Sequence, residues 1–558
     1  MTKFIFASVG LATLYLGFGP LPIETLETLF HACAFYLVFF AVLIWTWTLL
    51  PRSFHRESLL PHLPALILAC LLTACILALS PSRLRILYDE TNLLGVSLAM
   101  LEDHSCYIPT QAIFDGSAPH FLASEWGIRP FVFPFFLYLL HLAQGYALGH
   151  VYVLNALAGF AALFGFYLLM QCFFSRPLAA IAMALLAAYP VFSLWTTSGG
   201  FEIVNLSLAL LAFYQLHALI TTRGHLHATR LVFTLVLLAQ VRYEGVLFLF
   251  AIGPVAVFHC WKHADARPGK IALLAMPLLL PLAWQRALYS GAYAFMVAEN
   301  EPMFGFHHFA SNLGHAFAFF SSSQAAYGTL PALFSLSAVG SLIGLSHLWQ
   351  NRARLSPAVL LVSSAAALAL LFQLSVIMGY HRGNLTRPYS LRLGIIFLPF
   401  LIAPIIFGCH LLVKRRAFFI YPLGTLACAV LVFGFSRTTD GSSASALKLA
   451  QINQAHTDFF RDQDPGKRAL IITPYARLFV VDGRSAVTFD YANQNWQELL
   501  NGLRHGKFHP IFVCQIEEGA TRDLSQETRL LQPWPLRPLG ELQIGADFYK
   551  ISQLVPPK

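Results

Sequence analysis

The chain has 558 residues, of which 57% are apolar and only 11% are charged. Soluble globular proteins carry about a quarter charged residues, so this composition excludes a soluble enzyme, a disordered chain and a disulfide scaffold. The net charge of +9 does not indicate nucleic-acid binding, because the basic residues are spread over many short loops. The apolar residues come in long runs without alternation, which disfavours a β-barrel. We therefore predict a polytopic α-helical membrane protein.

Apolar runs long enough to span the hydrocarbon core, which takes about 20 residues, fill most of the chain before residue 437. They lie near 4–21, 29–50, 61–80, 150–173, 177–196, 201–222, 271–289, 327–348, 356–379, 391–413 and 417–436. The run 230–260 is too long for one upright helix. It is interrupted by polar residues at 240–245, so we expect two short helices that meet there. The prediction is thirteen spans, with the termini on opposite sides.

The distribution of charge orients these spans. With the N-terminus inside, most basic residues before 437 fall in predicted inner loops, as the positive-inside rule requires. Counting 131–147 as another span would move the cluster at 414–416 outside, so we expect an interfacial helix there. Among the acidic residues before 437, all but Glu57 and Asp265 then face outward. This asymmetry predicts an outward-facing polar site. Short loops and a compact outer domain favour the inner (plasma) membrane of a bacterium as the location.

Residues 437–558 have a different character, with frequent charges and shorter apolar runs. Segments 469–473, 478–482 and 510–514 are typical of strands, and 490–503 is typical of a helix. We expect a small α/β domain on the outer side. Cys106 and Cys514 lie in polar segments and could pair if both lie on the outer side of the membrane. We do not expect a disulfide between them.

Acidic residues stand at two membrane boundaries. Asp89 and Glu90 lie near the start of the longest outer loop, 81–149, and Glu202 lies at the outer start of a span. Such acids are functional candidates. The ordinary alternatives are an N-cap for a helix over 91–101 and a helix N-terminal acid favoured by the macrodipole. For an isolated Asp-Glu pair, the ordinary explanation is favoured.

Arg242 and Glu244 lie at the break in the long apolar run. A local ion pair is the simple explanation, but a helix break at membrane depth must face protein or a cavity.

Two outer loops carry further polar residues. Glu299 and Glu301 with His307 and His308 suggest a divalent metal, but adjacent histidines point in different directions on a helix, which disfavours a metal site.

The other outer loop, 380–392, carries Arg382, Arg387 and Arg392. Outward basic residues run against the orientation rule, so either an anionic head group or the outer acids pair with them. Carboxylates and arginines at membrane level suit transfer of a group from a lipid phosphate. A carboxylate takes the proton of the acceptor, and arginines neutralise the phosphate leaving group.

Six short motifs occur in a fixed order between 61 and 436. They are a span followed by Tyr88-Asp89-Glu90, then Gly127-Ile-Arg129-Pro130 before an apolar helix, Val153-Leu-Asn155, Ala187-Ala-Tyr-Pro190 followed by Glu202, Val241-Arg242-Tyr-Glu-Gly245, and Tyr389-Ser-Leu-Arg392. In order and topology the chain resembles the GT-C glycosyltransferases, multi-span enzymes that use polyprenyl-phosphate sugars. Protein O-mannosyltransferases and the lipid A aminoarabinose transferase are members.

The resemblance implies roles for particular residues. Asp89 matches the catalytic acid of the first outer loop, with Glu90 beside it, and Glu202 matches a second carboxylate that is usually Asp. Arg242 and one of Arg382, Arg387 or Arg392 would hold the donor phosphate. Some members use a divalent metal such as Mg or Mn, so a metal is an open expectation.

The resemblance also implies a domain organisation. Residues 1–60 would be two extra spans, 61–436 the GT-C-like catalytic module, and 437–558 an outer domain placed like those that receive acceptors. We expect an inverting glycosyltransferase that moves a sugar from a polyprenyl-phosphate donor to an outer glycan, lipid or protein. The alternatives are a flippase or transporter of lipid-linked sugars, which needs polar residues along its whole path, and a silent scaffold that binds polyprenyl phosphate.

Overall fold

The computed structural model describes residues 2–50, 60–115, 119–127, 129–292, 302–322, 330–351, 355–387, 390–439, 448–519, 522–531, 535–544 and 547–555. These fall into two compact units. We call Met1–Arg83 with Tyr152–Ala444 the helical unit, and Leu84–Val151 with Ser445–Lys558 the α/β unit.

The helices follow one another along the chain with few strands between them. In chain order they are α1 (Thr2–Phe18), α2 (Ile23–Leu49), α3 (Leu63–Leu79), α4 (Leu87–Asp103), α5 (Val132–Gln144), α6 (His150–Gln171), α7 (Arg176–Ala188), α8 (Pro190–Thr196), α9 (Glu202–Thr222), α10 (His225–Ala239), α11 (Val246–Lys262), α12 (Leu280–Ala292), α13 (Phe306–Ser321), α14 (Pro331–Asn351), α15 (Pro357–Gly379), α16 (Leu398–Arg415), α17 (Ile420–Thr439), α18 (Lys448–Gln463), α19 (Ala476–Val480), α20 (Phe489–Gln494) and α21 (Trp496–Arg504). The strands are β1 (Tyr107–Phe114), β2 (Pro119–Trp126), β3 (Leu470–Ile472), β4 (Ser485–Val487), β5 (Ile511–Glu518), β6 (Asp523–Leu524), β7 (Leu536–Ile544) and β8 (Asp547–Leu554).

The helical unit has the apolar helices of a multi-pass membrane protein. Among the described residues, nine helices are long and apolar enough to cross a membrane, and the bent pair α7–α8 makes a tenth. Shorter apolar helices at 8–18, 225–239 and 270–285 coincide with the remaining three predicted spans. The polytopic helical fold is therefore confirmed, and the count of thirteen spans stays a prediction.

Two predicted spans are interrupted in the structure. The expected break at 240–245 is confirmed, because α10 ends at Ala239, a short 3₁₀ turn covers Tyr243–Gly245, and α11 begins at Val246. The expectation of one continuous helix over 177–196 is wrong, since the chain bends by 72° between α7 and α8. Pro190 explains the bend, because proline lacks a donor N–H and its ring clashes with the carbonyl four residues earlier.

The described part of the predicted outer loop 290–326 also departs from expectation. It contains α13, which packs against α14 and α15. Five of the 16 residues in this helix are phenylalanines, and a short apolar run does not by itself decide the type of element.

The α/β unit is built on one sheet with strand order β2-β1-β4-β3-β5-β8-β7, to which β6 adds beside β5. The central strands β4, β3 and β5 are parallel, and the outer pairs are antiparallel. Predicted strands at 469–473 and 510–514 are confirmed, as is the helical segment 490–503. The predicted strand at 478–482 is wrong, because α19 occupies 476–480 as the crossover between β3 and β4.

Residues from the loop 81–149 complete this sheet. The hairpin β1–β2, which sequence patterning did not predict, joins the C-terminal strands through Ala112 opposite Ala486. Side chains of β3 alternate between two cores, as the pleat requires. Leu470 and Ile472 pack with Trp496 on one face, while Ile471 packs on the other face in a cluster that includes Leu98 of α4. Helix α4 is therefore anchored on the sheet.

Cys106 and Cys514 are both buried in this unit as free thiols. Burial raises the pKa of each thiol well above its usual value, because it disfavours the thiolate. Both cysteines therefore act as small packing residues, and among the described residues neither forms a disulfide.

A buried histidine pair joins α5 to the residue that begins α6. His141 Nδ1 lies 2.9 Å from His150 Nδ1, and His141 Nε2 lies 3.3 Å from the Ser97 hydroxyl. Burial, and then the neighbouring His150, lower the pKa of His141 to about 4. Because this histidine takes up a proton near pH 6.5 in the unfolded chain, the folded state loses stability as the pH falls from about 6.5 to about 4.

We expect the apparent melting temperature of the full-length protein to fall between pH 7 and pH 4.5, and His141 should account for about 2 kcal/mol of the lost free energy of unfolding. The variant His141→Gln should flatten this dependence. The exposed His505 provides the control, since His505→Gln should leave the slope unchanged. Equal slopes for wild type and His141→Gln would contradict the assignment. Differential scanning fluorimetry in detergent measures all three proteins.

Candidate functional site

The α/β unit holds Asp89 in an ion pair with Arg129. Asp89 lies in the first turn of α4 and is 5% exposed. Nε and Nη2 of Arg129 both donate to Asp89 Oδ1, at 3.0 and 2.5 Å. Arg129 lies between β2 and α5, so the pair connects the start of α4 to the segment that follows the hairpin. A guanidinium in this position pairs with the carboxylate and fixes its orientation.

Arg129 lies in one of the six sequence motifs but was not among the predicted site residues. The available signal was its position as a basic residue in an outer loop, where the orientation rule disfavours one. Gly127 sets the path of the chain before it. A Cβ at this glycine would lie 2.5 Å from the carbonyl oxygen of Cys106 and 2.9 Å from the Phe131 ring, so the backbone passes where only glycine fits.

Glu90 has the contacts of a capping residue. Its side chain is fully buried, and Oε2 accepts the backbone N–H groups of Arg85 at 2.5 Å and Ile86 at 3.0 Å. The first backbone N–H groups of a helix lack partners within it, and an acidic side chain that reaches back to them stabilises the helix start. The helix begins at Leu87, earlier than the predicted start at 91. A catalytic role for Glu90 stays a prediction.

The helical unit holds the other predicted charges together. Glu202, 1% exposed, is the first residue of α9, and its Oε1 accepts from Arg242 Nη1 at 2.9 Å and lies 3.3 Å from Arg392 Nη1. Arg242 also pairs with Glu244, at 3.2 and 3.1 Å. The Phe201 ring lies 4.7 Å from the Arg242 guanidinium carbon. We call Glu202, Arg242, Glu244 and Arg392 the four-charge cluster.

The helix break between α10 and α11 positions this cluster. Arg242 adopts an extended backbone at the break, and Gly245 follows where a Cβ would lie 2.1 Å from the carbonyl oxygen of Leu238. Gln373 of α15 donates to the backbone carbonyl of Glu244 at 2.9 Å. A broken helix inside apolar surroundings requires such partners for its freed backbone groups.

The remaining predicted site residues lie elsewhere or outside the described chain. Arg382 and Arg387 are exposed, whereas Arg392 contacts Glu202. His307 and His308 stand side by side in the first turn of α13, with ring centroids 3.8 Å apart and His308 Nε2 3.2 Å from the Pro302 carbonyl oxygen. Glu299 and Glu301 lie outside the described residues. Across the described part of the chain, no three His, Cys, Asp or Glu side chains converge on a possible metal position.

An apolar cavity of about 640 Å³ lies in the helical unit, lined by α6, α9, α11, α14, α15 and α16. Its lining includes Leu206, Phe248 and Ile396. Each of these follows a member of the four-charge cluster by four residues, which is about one helical turn. A buried charged group therefore stands beside an apolar cavity, within the size range of about 300–1,000 Å³ that is typical of ligand sites.

Neither protein-family models nor curated proteins match the chain. Solved structures do match it. ArnT from Cupriavidus metallidurans, bound to undecaprenyl phosphate, aligns with a TM-score of 0.51 at 10% identity over 87% of this chain and 97% of that one. The oligosaccharyltransferase of Archaeoglobus fulgidus, in complex with Zn and sulfate, aligns with a TM-score of 0.46 at 12% identity over 83% and 73%. The likeness to ArnT confirms the expected GT-C fold.

Removing the charge of Glu202 should destabilise the helical unit. The variant Glu202→Gln leaves buried guanidinium groups without their carboxylate, and breaking a buried pair in this way costs about 3–5 kcal/mol. Thermal unfolding in detergent measures the loss. The matched control is Glu244→Gln, because the Glu244 side chain is 28% exposed and solvent screens its pair, which limits the loss to about 0–1 kcal/mol. Equal losses in the two variants would contradict the central role of Glu202.

Proposed function

We propose that this protein is an integral-membrane inverting glycosyltransferase, which moves a sugar from a polyprenyl-phosphate donor to an acceptor glycan, lipid or protein outside the membrane. The observation that carries the proposal is the four-charge cluster next to an apolar cavity in the helical unit. A ligand with an anionic head and a long apolar chain complements both features. A polyprenyl-phosphate sugar has this chemistry.

The cluster suits the phosphate of such a donor. Glu202 holds two arginines side by side, at 2.9 and 3.3 Å from one carboxylate oxygen. Arginine binds phosphate through paired N–H groups, and a pre-oriented pair stabilises the negative charge that grows on the leaving phosphate. Glu244, which is more exposed than Glu202, partly neutralises Arg242 until the donor arrives.

ArnT, which shares this fold, was solved with undecaprenyl phosphate bound. We assign the same class of lipid to this chain because the charged cluster complements its phosphate and the apolar cavity complements its hydrocarbon chain. Transport or flipping of a lipid-linked sugar needs polar groups along a whole path, whereas the cavity here is lined mainly by apolar side chains. Transfer is therefore favoured over transport.

Asp89 is the proposed base. Its carboxylate takes the proton from an acceptor hydroxyl while the acceptor oxygen attacks the anomeric carbon of the sugar. The bond between that carbon and the phosphate oxygen breaks on the opposite face, so the configuration inverts and polyprenyl phosphate leaves. Arg129 holds the Asp89 carboxylate in position before the acceptor arrives.

The test is turnover of donor lipid by the full-length protein in nanodiscs. A panel of polyprenyl-phosphate sugars is supplied with an envelope extract as the source of acceptor, and mass spectrometry reads free polyprenyl phosphate. Wild type should release it from one donor, which identifies the sugar. Asp89→Asn should lower the rate about 10²–10⁴-fold, since this is the usual contribution of a general base.

The matched control is Asp115→Asn, because Asp115 follows β1 and pairs with the largely exposed His120. This variant should keep the wild-type rate. An Asp89→Asn protein with the wild-type rate would refute the role of Asp89. Binding of a donor without any release, in wild type and variant alike, would refute transfer and favour transport or a scaffold.

A further inference from the structure

Arg477 contacts two segments of the α/β unit that each carry one member of the Asp89–Arg129 pair. It lies on α19, in the crossover between β3 and β4. Its Nη1 donates to Asn92 Oδ1 at 2.6 Å, and its Nη2 donates to Glu125 Oε2 at 2.5 Å. The guanidinium carbon lies 5.2 Å from the centroid of the Tyr88 ring. The Arg477 side chain is only 14% exposed, so solvent screens these contacts weakly.

The contacts on α4 surround the proposed base. Tyr88 and Asn92 are four residues apart and share one face of the helix, and Asp89 is the next residue after Tyr88. One guanidinium therefore contacts the first two turns of α4 at two points, one on each side of Asp89 along the chain. The first turn is also where Glu90 satisfies the backbone N–H groups that precede the helix.

The contact on β2 fixes the other half of the pair. Glu125 is the residue before the end of β2, and Arg129 follows it by four residues. The distance between Asp89 and Arg129 depends on how α4 is placed against the end of β2. Arg477 connects those two places directly, through a rigid planar group whose two arms reach different acceptors.

We propose that Arg477 is a positioning residue for the Asp89–Arg129 pair, which sets the first turn of α4 against the end of β2. The inference rests on the proposed role of Asp89 as base. Arg477 touches neither substrate nor the reacting atoms in this assignment. Its effect is on the geometry from which Asp89 acts, and a displacement of about 1 Å at a reacting group costs about 10²-fold in rate.

The experiment compares five variants of the full-length protein in nanodiscs with the donor that wild type consumes. Arg477→Gln should lower kcat about 10–100-fold and change the KM for donor by less than about two-fold, because the proposed phosphate site lies in the four-charge cluster. Arg477→Lys should recover part of the rate, since one ammonium replaces a single arm of the guanidinium. Glu125→Gln should show a smaller loss, and combining it with Arg477→Gln should give less than the product of the two effects.

The fifth variant, Arg522→Gln, is the matched control. Arg522 also pairs with a glutamate, Glu541 at 2.9 Å, and also stacks on an aromatic ring, that of Phe548 at 3.8 Å. These partners lie on β7 and β8, away from α4 and β2 in the chain. This variant should keep the wild-type kcat. A kcat loss shared by both arginine variants would mean a general structural effect and would overturn the positioning role.

Hydrogen–deuterium exchange provides a readout that needs no donor. Arg477→Gln should speed exchange of the amides in 87–93 and 125–130 about 10-fold or more, and Arg522→Gln should not. Unchanged exchange there, or a kcat within about two-fold of wild type while Asp89→Asn is inactive, would overturn the inference. If Arg477→Gln fails to fold, Glu125→Gln decides by the same two readouts, because the Glu125 side chain is 41% exposed. An active Asp89→Asn protein refutes the proposed base itself, which is a separate outcome.

Discussion

The cost of placing charge in apolar surroundings governs the helical unit. Glu202 is almost fully buried, and a buried carboxylate is tolerated only when opposite charges and hydrogen bonds compensate for its lost hydration. Arg242 and Arg392 supply that compensation from two different parts of the chain. For both to reach one carboxylate, the chain must break between α10 and α11, and the segment before α16 must approach the start of α9. The positions of these helix ends follow from one compensated charge.

The same physics supports the proposed binding of an anionic ligand at the cluster. Its two arginines and two glutamates cancel formally, yet Glu244 is partly exposed and Glu202 is not. Under the proposed function, an incoming anion would compete with the more exposed carboxylate, while Glu202 would keep the guanidinium groups in place. The apolar cavity begins one helical turn further along the same helices. An amphiphile would find its polar and apolar partners on neighbouring turns.

In the α/β unit, contacts between residues far apart in the sequence hold the elements in place. The hairpin of β1 and β2 extends a sheet whose other strands come from the C-terminal part of the chain. Helix α4 packs on that sheet through Leu98, and Arg477 holds its first turn. Asp89 thus stands on an element that is anchored by residues almost 400 positions away, so substitutions in the C-terminal part can act on the site without touching it.

Local patterns in the sequence were sufficient to predict the apolar helices, the break at 240–245 and the strands β3 and β5. Hydropathy and polar interruptions determine these elements within one or two turns of the chain. The resemblance to GT-C enzymes also rested on short motifs, and the fold confirmed it. The tertiary structure was needed to show the bend at Pro190, the helix α13, the hairpin β1–β2 and the helix α19, since a short apolar run suits either a strand or a helix until its neighbours are known.

The tertiary structure also decided which charged residues pair with each other. The sequence placed Glu202 and Arg242 among the candidates. Only the tertiary structure showed that Arg392, and not Arg382 or Arg387, contacts Glu202. It likewise paired Arg129 with Asp89 and Arg477 with Asn92, because a contact between distant segments produces no periodic pattern in the sequence.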